Sequence, residues 1–324
     1  MSGERVRRLS YTIEVDAPAG VVYTLLLSRE RRPLYFPSNV HVEQVDFPDV
    51  HDFSGARERL RVWALAGGEV KSWTSDWVSD PARRLLFFRQ DRIMEPAQSM
   101  GGNFSVQPIG PDRCRLTVDH EFTSRDDSPE GMAWLEWNVA AVTRSDLKNL
   151  RFLAERWARL DELMLSFEET LRIEAPAELV HGFFYDVESW PEFLPHVRRV
   201  ELNEPQAGVQ QVSMDLAEAD GTVQNITSVR LCFPHAGRTV FKETTPRKLL
   251  AAHCGEWSAV SDDHGVTVTS KHHVFLRETD VETVLGPGAT LEDARRRVRA
   301  ELGDESRRTL CQARAHAESA VRMR

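Results

Sequence analysis

The chain has 324 residues, 41% hydrophobic and 28% charged, a globular composition long enough for two domains that each bury a core. A formal charge of -9 argues against a nucleic-acid footprint, which needs a basic face, and no apolar run approaches the roughly 20 residues of a membrane helix. The start carries Arg5, Arg7 and Arg8 with no apolar stretch behind them, and Cys114, Cys232, Cys254 and Cys311 lack paired spacing, so a cytoplasmic protein with reduced thiols and no metal site is expected.

Residues 9–16 alternate like a strand and end at Ala17-Pro18, after which 21–27 has the apolar density of a short helix and 29–35 of a second. Strands are expected at 40–47 and 56–66, then a turn at Gly67-Gly68, then a strand at 69–79 that puts Trp73, Ser75 and Trp77 on one face. Further strands read at 84–93, 99–107 and 113–123. A long helical pattern over 129–163 carries Trp134, Trp137, Val142, Leu147, Leu150 and Leu153.

The same order then begins again. A strand at 166–174 ends in Ala175-Pro176, which lies 158 positions after Ala17-Pro18, and Trp190-Pro191-Glu192-Phe193-Leu194-Pro195 answers Arg32-Pro33-Leu34-Tyr35-Phe36-Pro37 at the same displacement. Further on the displacement settles at 153, pairing Gly68 with Gly221, Ser75 with Ser228, Gly102 with Gly255, Phe104 with Trp257 and His120 with His273. The five extra residues of the first copy fall most simply in the loop 48–54. A second long helix, 291–321, follows the loop Leu285-Gly286-Pro287-Gly288, and a run of arginines on it, Arg295, Arg296, Arg297 and Arg299, reads as a solvated face or a dock for an acidic partner. The expected architecture is α+β, with two tandem domains, 1–163 and 164–324, each a curved antiparallel sheet wrapped around a long C-terminal helix and enclosing a pocket.

The stretch 224–232 stands out. On a strand, Ile226, Ser228 and Arg230 project together, and a guanidinium inside a sheet needs a carboxylate partner or a ligand unless the strand is an exposed edge. His253 and Trp257 share a face of a later strand, and either His253 or His273 titrates in a range useful for proton transfer. His272 and His273 are neighbours on a strand and face opposite ways, so they cannot share a metal. Phosphate-cradling glycine loops, Gly-x-Ser-x-Gly elbows and His-Glu-x-x-His motifs are missing.

The ordered motifs Trp190-Pro191-Glu192-Phe193-Leu194-Pro195, Asp220-Gly221, Ser228-Val229-Arg230, His253-Cys254-Gly255-Glu256-Trp257, His273 and Val284-Leu285-Gly286 resemble the C-terminal half of the two-domain type II polyketide aromatase/cyclases. Ser72-Trp73-Thr74-Ser75, Phe87-Phe88-Arg89-Gln90, Gly102 and His120-Glu121-Phe122 resemble their N-terminal half. The resemblance implies START-like helix-grip domains and cofactor-free closure and dehydration of the first ring of a poly-β-ketone. It also implies delivery of that chain by an acyl carrier protein, in the company of a ketosynthase or ketoreductase of the same pathway. It makes Arg230, Ser228, His253 and His273 catalytic candidates, and Trp257, Ile226, Glu305, Trp73, Ser75, Trp77, Phe104 and His120 candidates for binding substrate.

The copies differ where the family carries chemistry. The family's strand arginine is Trp77 in the first copy, and the helix position where an Asn is common is Val142 or Glu305, with Asn138 one turn before Val142. The C-terminal pocket is therefore expected to be the reactive one and the N-terminal pocket an apolar shaping site, with Glu305, if inward, a partner for Arg230. The alternative reading is a non-catalytic START-like binding protein for a lipid, quinone or polyketide.

Overall fold

A computed structural model describes residues 6–46, 56–91, 95–125, 128–217, 221–263 and 265–322, and divides into two compact units, Met1–Leu160 and Asp161–Arg324. The first unit contains β1 (Arg7–Val15), α1 (Ala19–Leu27), α2 (Arg32–Tyr35), β2 (Asn39–Asp46), β3 (Arg57–Ala66), β4 (Glu69–Asp80), β5 (Leu85–Gln90), β6 (Ala97–Gly110), β7 (Arg113–Ser124) and α3 (Pro129–Ala154). After α4 (Leu160–Leu163), the second contains β8 (Met164–Ile173), α5 (Ala177–Tyr185), α6 (Trp190–Phe193), β9 (Val197–Gln206), β10 (Val209–Ala217), β11 (Val223–Phe233), β12 (Arg238–Thr245), β13 (Leu250–Asp262), β14 (Gly265–Leu276), α7 (Val281–Leu285) and α8 (Leu291–Arg322). Each unit is an antiparallel seven-stranded sheet, ordered β1-β7-β6-β5-β4-β3-β2 and β8-β14-β13-β12-β11-β10-β9, in which the first strand joins the last and the rest form a meander. The loop 48–54 and Asp220 lie outside the described residues.

Period-two alternation sets the inner face. Gln210, Val212, Met214 and Leu216 of β10 are buried with half-buried residues between them, and Val266, Val268, Ser270, His272 and Val274 of β14 repeat the pattern. Helices α1 and α5 both follow a proline whose fixed φ starts the helix, Pro18 and Pro176. The long helices are capped by side chains: Ser128 accepts from Gly131 N at 3.0 Å, and Thr290 and Asp293 each accept a backbone N–H of the other, at 2.9 and 3.2 Å.

Along α8 the buried stripe runs Ala294, Val298, Leu302, Ser306, Leu310, Ala313 and Ala317. Its first half packs with Leu249, Leu250, Val274 and Val281, and its last part with Phe183, Val212, Leu216 and Val268, so the turns between the two clusters, around Glu305, are left to line a cavity. Each large apolar side chain so buried contributes about 1.5–3 kcal/mol. The four arginines of the run at the start of α8 are engaged: Arg295 donates to the carbonyls of Asp161, Glu162 and Met164, Arg296 pairs with Asp293, Arg297 with Glu301 and Arg299 with Glu169. That is the solvated, ion-paired face.

The helix expected over 129–163 is interrupted. It stops at Ala154, a 3-10 turn covers Trp157–Arg159, and α4 leads into β8. No glycine or proline marks the stop. The apolar repeat reads on through Trp157, but that residue is 50% exposed.

Two glycines test the packing. A Cβ at Gly255 in β13 would stand 2.1 Å from Lys271 O and 2.8 Å from the Phe241 ring, whereas one at Gly182 in α5 meets nothing within 4 Å. Gly255→Ala should cost about 1–3 kcal/mol, and Gly182→Ala should gain about 0.5–1 kcal/mol, read as opposite shifts of the urea midpoint.

Candidate active site

In the second unit a cavity of about 80 Å3 lies between the inner face of the sheet and α8. Alternation on β11 delivers Ile226, Ser228 and Arg230 to its wall, β13 delivers His253 and Trp257, and β12 adds Phe241 and Glu243. Arg230 is 1% exposed. Its guanidinium lies 5.0 Å from the Trp190 ring and 5.6 Å from Trp257, and Nη2 donates to the Phe184 carbonyl of α5. Nε and Nη1 meet no hydrogen-bond partner among the described residues, so Ser228 does not take them up. Burial lowers its pKa to about 10, offset in part by Cys232 and Glu204, and the group stays a cation at neutral pH. Two donors of a buried cation on the cavity lining are thus without a partner among the described residues, and an anionic oxygen is the group that would satisfy them.

Beside it runs a chain of polar side chains. Ser306 Oγ on α8 is 2.6 Å from His272 Nε2, His272 Nδ1 is 2.9 Å from His253 Nε2, and His253 Nδ1 is 2.9 Å from Glu243 Oε1. The last contact has ion-pair distance but lies off the axis of a hydrogen bond. Ser270 Oγ, 3.1 Å from His272 Nε2, supports the middle. Burial pushes His272 well below the usual imidazole range, with the neighbouring His253 and Arg247 adding to it, so it is neutral. A carboxylate at one end favours protons on His253 Nδ1 and His272 Nδ1, which leaves His272 Nε2 to accept from the Ser306 hydroxyl.

Glu305 faces the cavity, but its partner is not Arg230. Arg247, from the turn after β12, holds it with Nη1–Oε1 and Nη2–Oε2 bonds of 2.7 and 2.6 Å. Burial raises the Glu305 carboxyl, and the Arg247 charge and hydrogen bonds outweigh it, so the net shift is down. Thr244-Thr245-Pro246-Arg247-Lys248 reads as an exposed turn, which hid Arg247 from strand-face reasoning.

His273 is a correction. It lies on the other face of β14 from the cavity, with Nδ1 2.8 Å from Ser166 Oγ, and His272 takes the inward place. In the first unit Gly102 faces His120, and in the second Gly255 faces His272. The β6–β7 hairpin absorbs one more residue than β13–β14, at an irregularity between Pro108 and Gly110, so beyond it the displacement between the copies is 152 and not 153.

The first unit encloses about 170 Å3, lined by Trp73, Ser75, Trp77, Phe104 and His120 as the strand pattern requires, with Asn138 and Val142 of α3. Its aromatic walls are dense: Trp77 lies 5.2 Å from Phe88 and 6.3 Å from Phe104. It is not simply apolar, because Arg32 and Asp146 also line it, and His120 Nε2 is bonded to Thr143 at 2.9 Å. Where the second unit has Glu243 and His253, this one has Gln90 and Met100, so the polar chain stops at His120.

Against known proteins, residues 173–301 match the family model described as polyketide cyclase / dehydrase and lipid transport. The chain is 36% identical to the actinorhodin polyketide synthase bifunctional cyclase/dehydratase of Streptomyces coelicolor, across 98% of this chain and 99% of that one. The chain belongs to the bifunctional polyketide cyclase/dehydratase family. It is 34% identical to the granaticin counterpart of Streptomyces violaceoruber, over 94% of this chain and 92% of the relative. The crystal structure of the di-domain ARO/CYC BexL from the BE-7585A biosynthetic pathway superposes with a TM-score of 0.85 at 38% identity, covering 96% of this chain and 99% of that one. Both helix-grip halves of this cyclase/dehydratase are therefore family features, and it is an enzyme of polyketide cyclisation and dehydration.

Two measurements probe the linings. Burial pushes His120 down to about 4, partly offset by Asp119, so between about pH 6.5 and 4 the unfolded chain binds a proton that the native state does not, and stability falls as pH falls. His120→Gln should flatten that acid slope by up to about 1.4 kcal/mol per pH unit in urea titrations. Glu305→Leu should cost about 3–5 kcal/mol by stranding Arg247, and adding Arg247→Met should recover most of the loss.

Proposed function

We propose that the C-terminal pocket closes and dehydrates the first ring of a poly-β-ketone presented on an acyl carrier protein, within the cytoplasm and beside the ketosynthase and ketoreductase of its pathway. The functional domains are taken as 1–163 and 164–324. The observation that carries this reading is the pairing, in one cavity, of a buried guanidinium with two unpartnered donors and a Glu243–His253–His272–Ser306 chain that ends at the cavity wall.

A methylene between two ketones is acidic enough to be deprotonated when its enolate is stabilised. Ser306 takes that proton as it passes its own to His272 Nε2. His272 Nδ1–H then moves to His253 Nε2, and His253 Nδ1–H to the Glu243 carboxylate after a small ring rotation. Both imidazoles end neutral, and the negative charge has moved from Glu243 to an enolate oxygen at Arg230. The enolate carbon attacks a ketone carbon further along the chain, forming one C–C bond, and the resulting alkoxide takes the proton back as a hydroxyl. Loss of a second methylene proton and departure of that hydroxyl as water gives the alkene, and enolisation completes the ring with no change of overall oxidation state. Trp257 and Ile226 bend the chain so that the reacting carbons meet, and Ser228 lies on the same wall as Arg230 to orient a carbonyl.

Arg230→Ala, assayed with the minimal synthase, should lower the cyclised aromatic product by about 10²–10³ and divert the chain to spontaneously cyclised shunts, read by chromatographic product analysis. Ser306→Ala or His272→Phe should leave chain binding in place but lower turnover by about 10²–10⁴. An unchanged product profile in all three variants would sink the assignment and favour a carrier.

A further inference from the structure

The strand arginine absent from the first copy is not lost; it has changed places with a tryptophan. In the second unit Arg230 of β11 lies against Trp190 of α6, and in the first unit Arg32 of α2 lies over Trp77 of β4 at 4.3 Å. Trp190 occupies the repeat position of Arg32, and Arg230 that of Trp77. The two guanidiniums even donate to equivalent carbonyls, Arg32 Nη2 to Leu26 at 3.3 Å and Arg230 Nη2 to Phe184. One element supplies the cation and the other the ring in each case, with the roles exchanged.

We propose that Arg32 makes the N-terminal cavity a second ligand site, for a planar enolate of a β-dicarbonyl, and not merely an apolar space that shapes the chain. Arg32 is 7% exposed, lines the cavity, and its Nε has no hydrogen-bond partner among the described residues. Desolvation lowers it to about 10, offset by the charges of Asp146 and Glu58, so it is a cation at neutral pH. The ligand class follows from the surroundings. Trp73, Trp77, Phe88 and Phe104 offer flat faces, and a delocalised monoanion can stack on them while sharing its charge with one guanidinium. A phosphate would carry up to two charges into the same walls with a single arginine to meet them, which the burial cost disfavours. His120, neutral and bonded to Thr143, adds no charge to the lining, so a bound anion would share Arg32 with Asp146, the carboxylate of that lining, whose charge favours the cation. The site is roomier than its counterpart, about 170 against about 80 Å3, and it lacks the Glu–His extension, so it holds the anion without the means to shuttle its proton.

The inference stands whether or not the C-terminal pocket performs the chemistry. The test is calorimetric titration of the full chain with 2-acetylcyclohexane-1,3-dione, an enolate at neutral pH, in an Arg230→Met background that disables the other guanidinium. One site per chain should remain. Adding Arg32→Met should weaken it at least about tenfold, the worth of a charge-assisted hydrogen bond, and the exchange Arg32→Trp with Trp77→Arg should restore it to within a few-fold. The exchange keeps both side-chain types inside the cavity, so it reports even if Arg32→Met fails to fold. No binding in the Arg230→Met chain, affinity unchanged by Arg32→Met, or no recovery in a folded exchange variant would each overturn the proposal. So would an equal loss of affinity for the uncharged probe acetophenone, which would mark Arg32 as a packing residue. Failure of the catalytic reading would appear separately, as products unaffected by Arg230→Ala.

Discussion

A cation buried between an aromatic ring and a helix carbonyl is the constraint around which each half is arranged. Removing a guanidinium from water is expensive, and among the described residues no carboxylate of the sheet is bonded to either Arg32 or Arg230 to offset it. What holds each in place is a tryptophan face and one carbonyl near the end of the first helix, Leu26 or Phe184. That arrangement fixes where α1 and α2, or α5 and α6, sit over the mouth of the sheet. It also leaves Arg32 Nε and Arg230 Nε and Nη1 without a hydrogen-bond partner among the described residues, on side chains that line the two cavities.

The halves then diverge by what reaches the opposite wall. In the second unit Glu243, His253, His272 and Ser306 form a continuous path from buried carboxylate to cavity, and Arg247 with Glu305 adds a neutralised pair beside it. In the first, Gln90 and Met100 cut the path behind His120. Both cavities can hold negative charge, and one of them can also move a proton.

Most of the fold was legible because strands and repeats leave periodic marks. The alternation that put Ile226, Ser228 and Arg230 on one face, and Trp73, Ser75 and Trp77 on another, depends only on backbone pleat, and it held. What escaped were contributions from irregular segments. Arg247 sits in a polar turn, and Arg32 sits in a short helix whose sequence gives no sign of which way its side chain points. The expectation that Glu305 would pair with Arg230, where the structure pairs it with Arg247, has the same cause. The stop of α3 at Ala154 carries no breaker residue, so nothing in the sequence there marks it.

The irregularity between Pro108 and Gly110 has a wider meaning. It takes up the extra residue of the first hairpin, so His120 and His272 both face inward although the hairpins differ in length by one; without such a bulge, a one-residue slip inverts which side of the last strand meets the interior. In the second copy the strand carries His272 and His273 side by side, so a one-residue slip in either direction still offers an imidazole to the cavity. Doubling the histidine makes that wall tolerant of length changes in its hairpin, a robustness the first copy, with a lone His120 between Asp119 and Glu121, does not share. A one-residue slip of the last strand is therefore an asymmetric event: the second half would still turn an imidazole inward, while the first would turn a carboxylate inward.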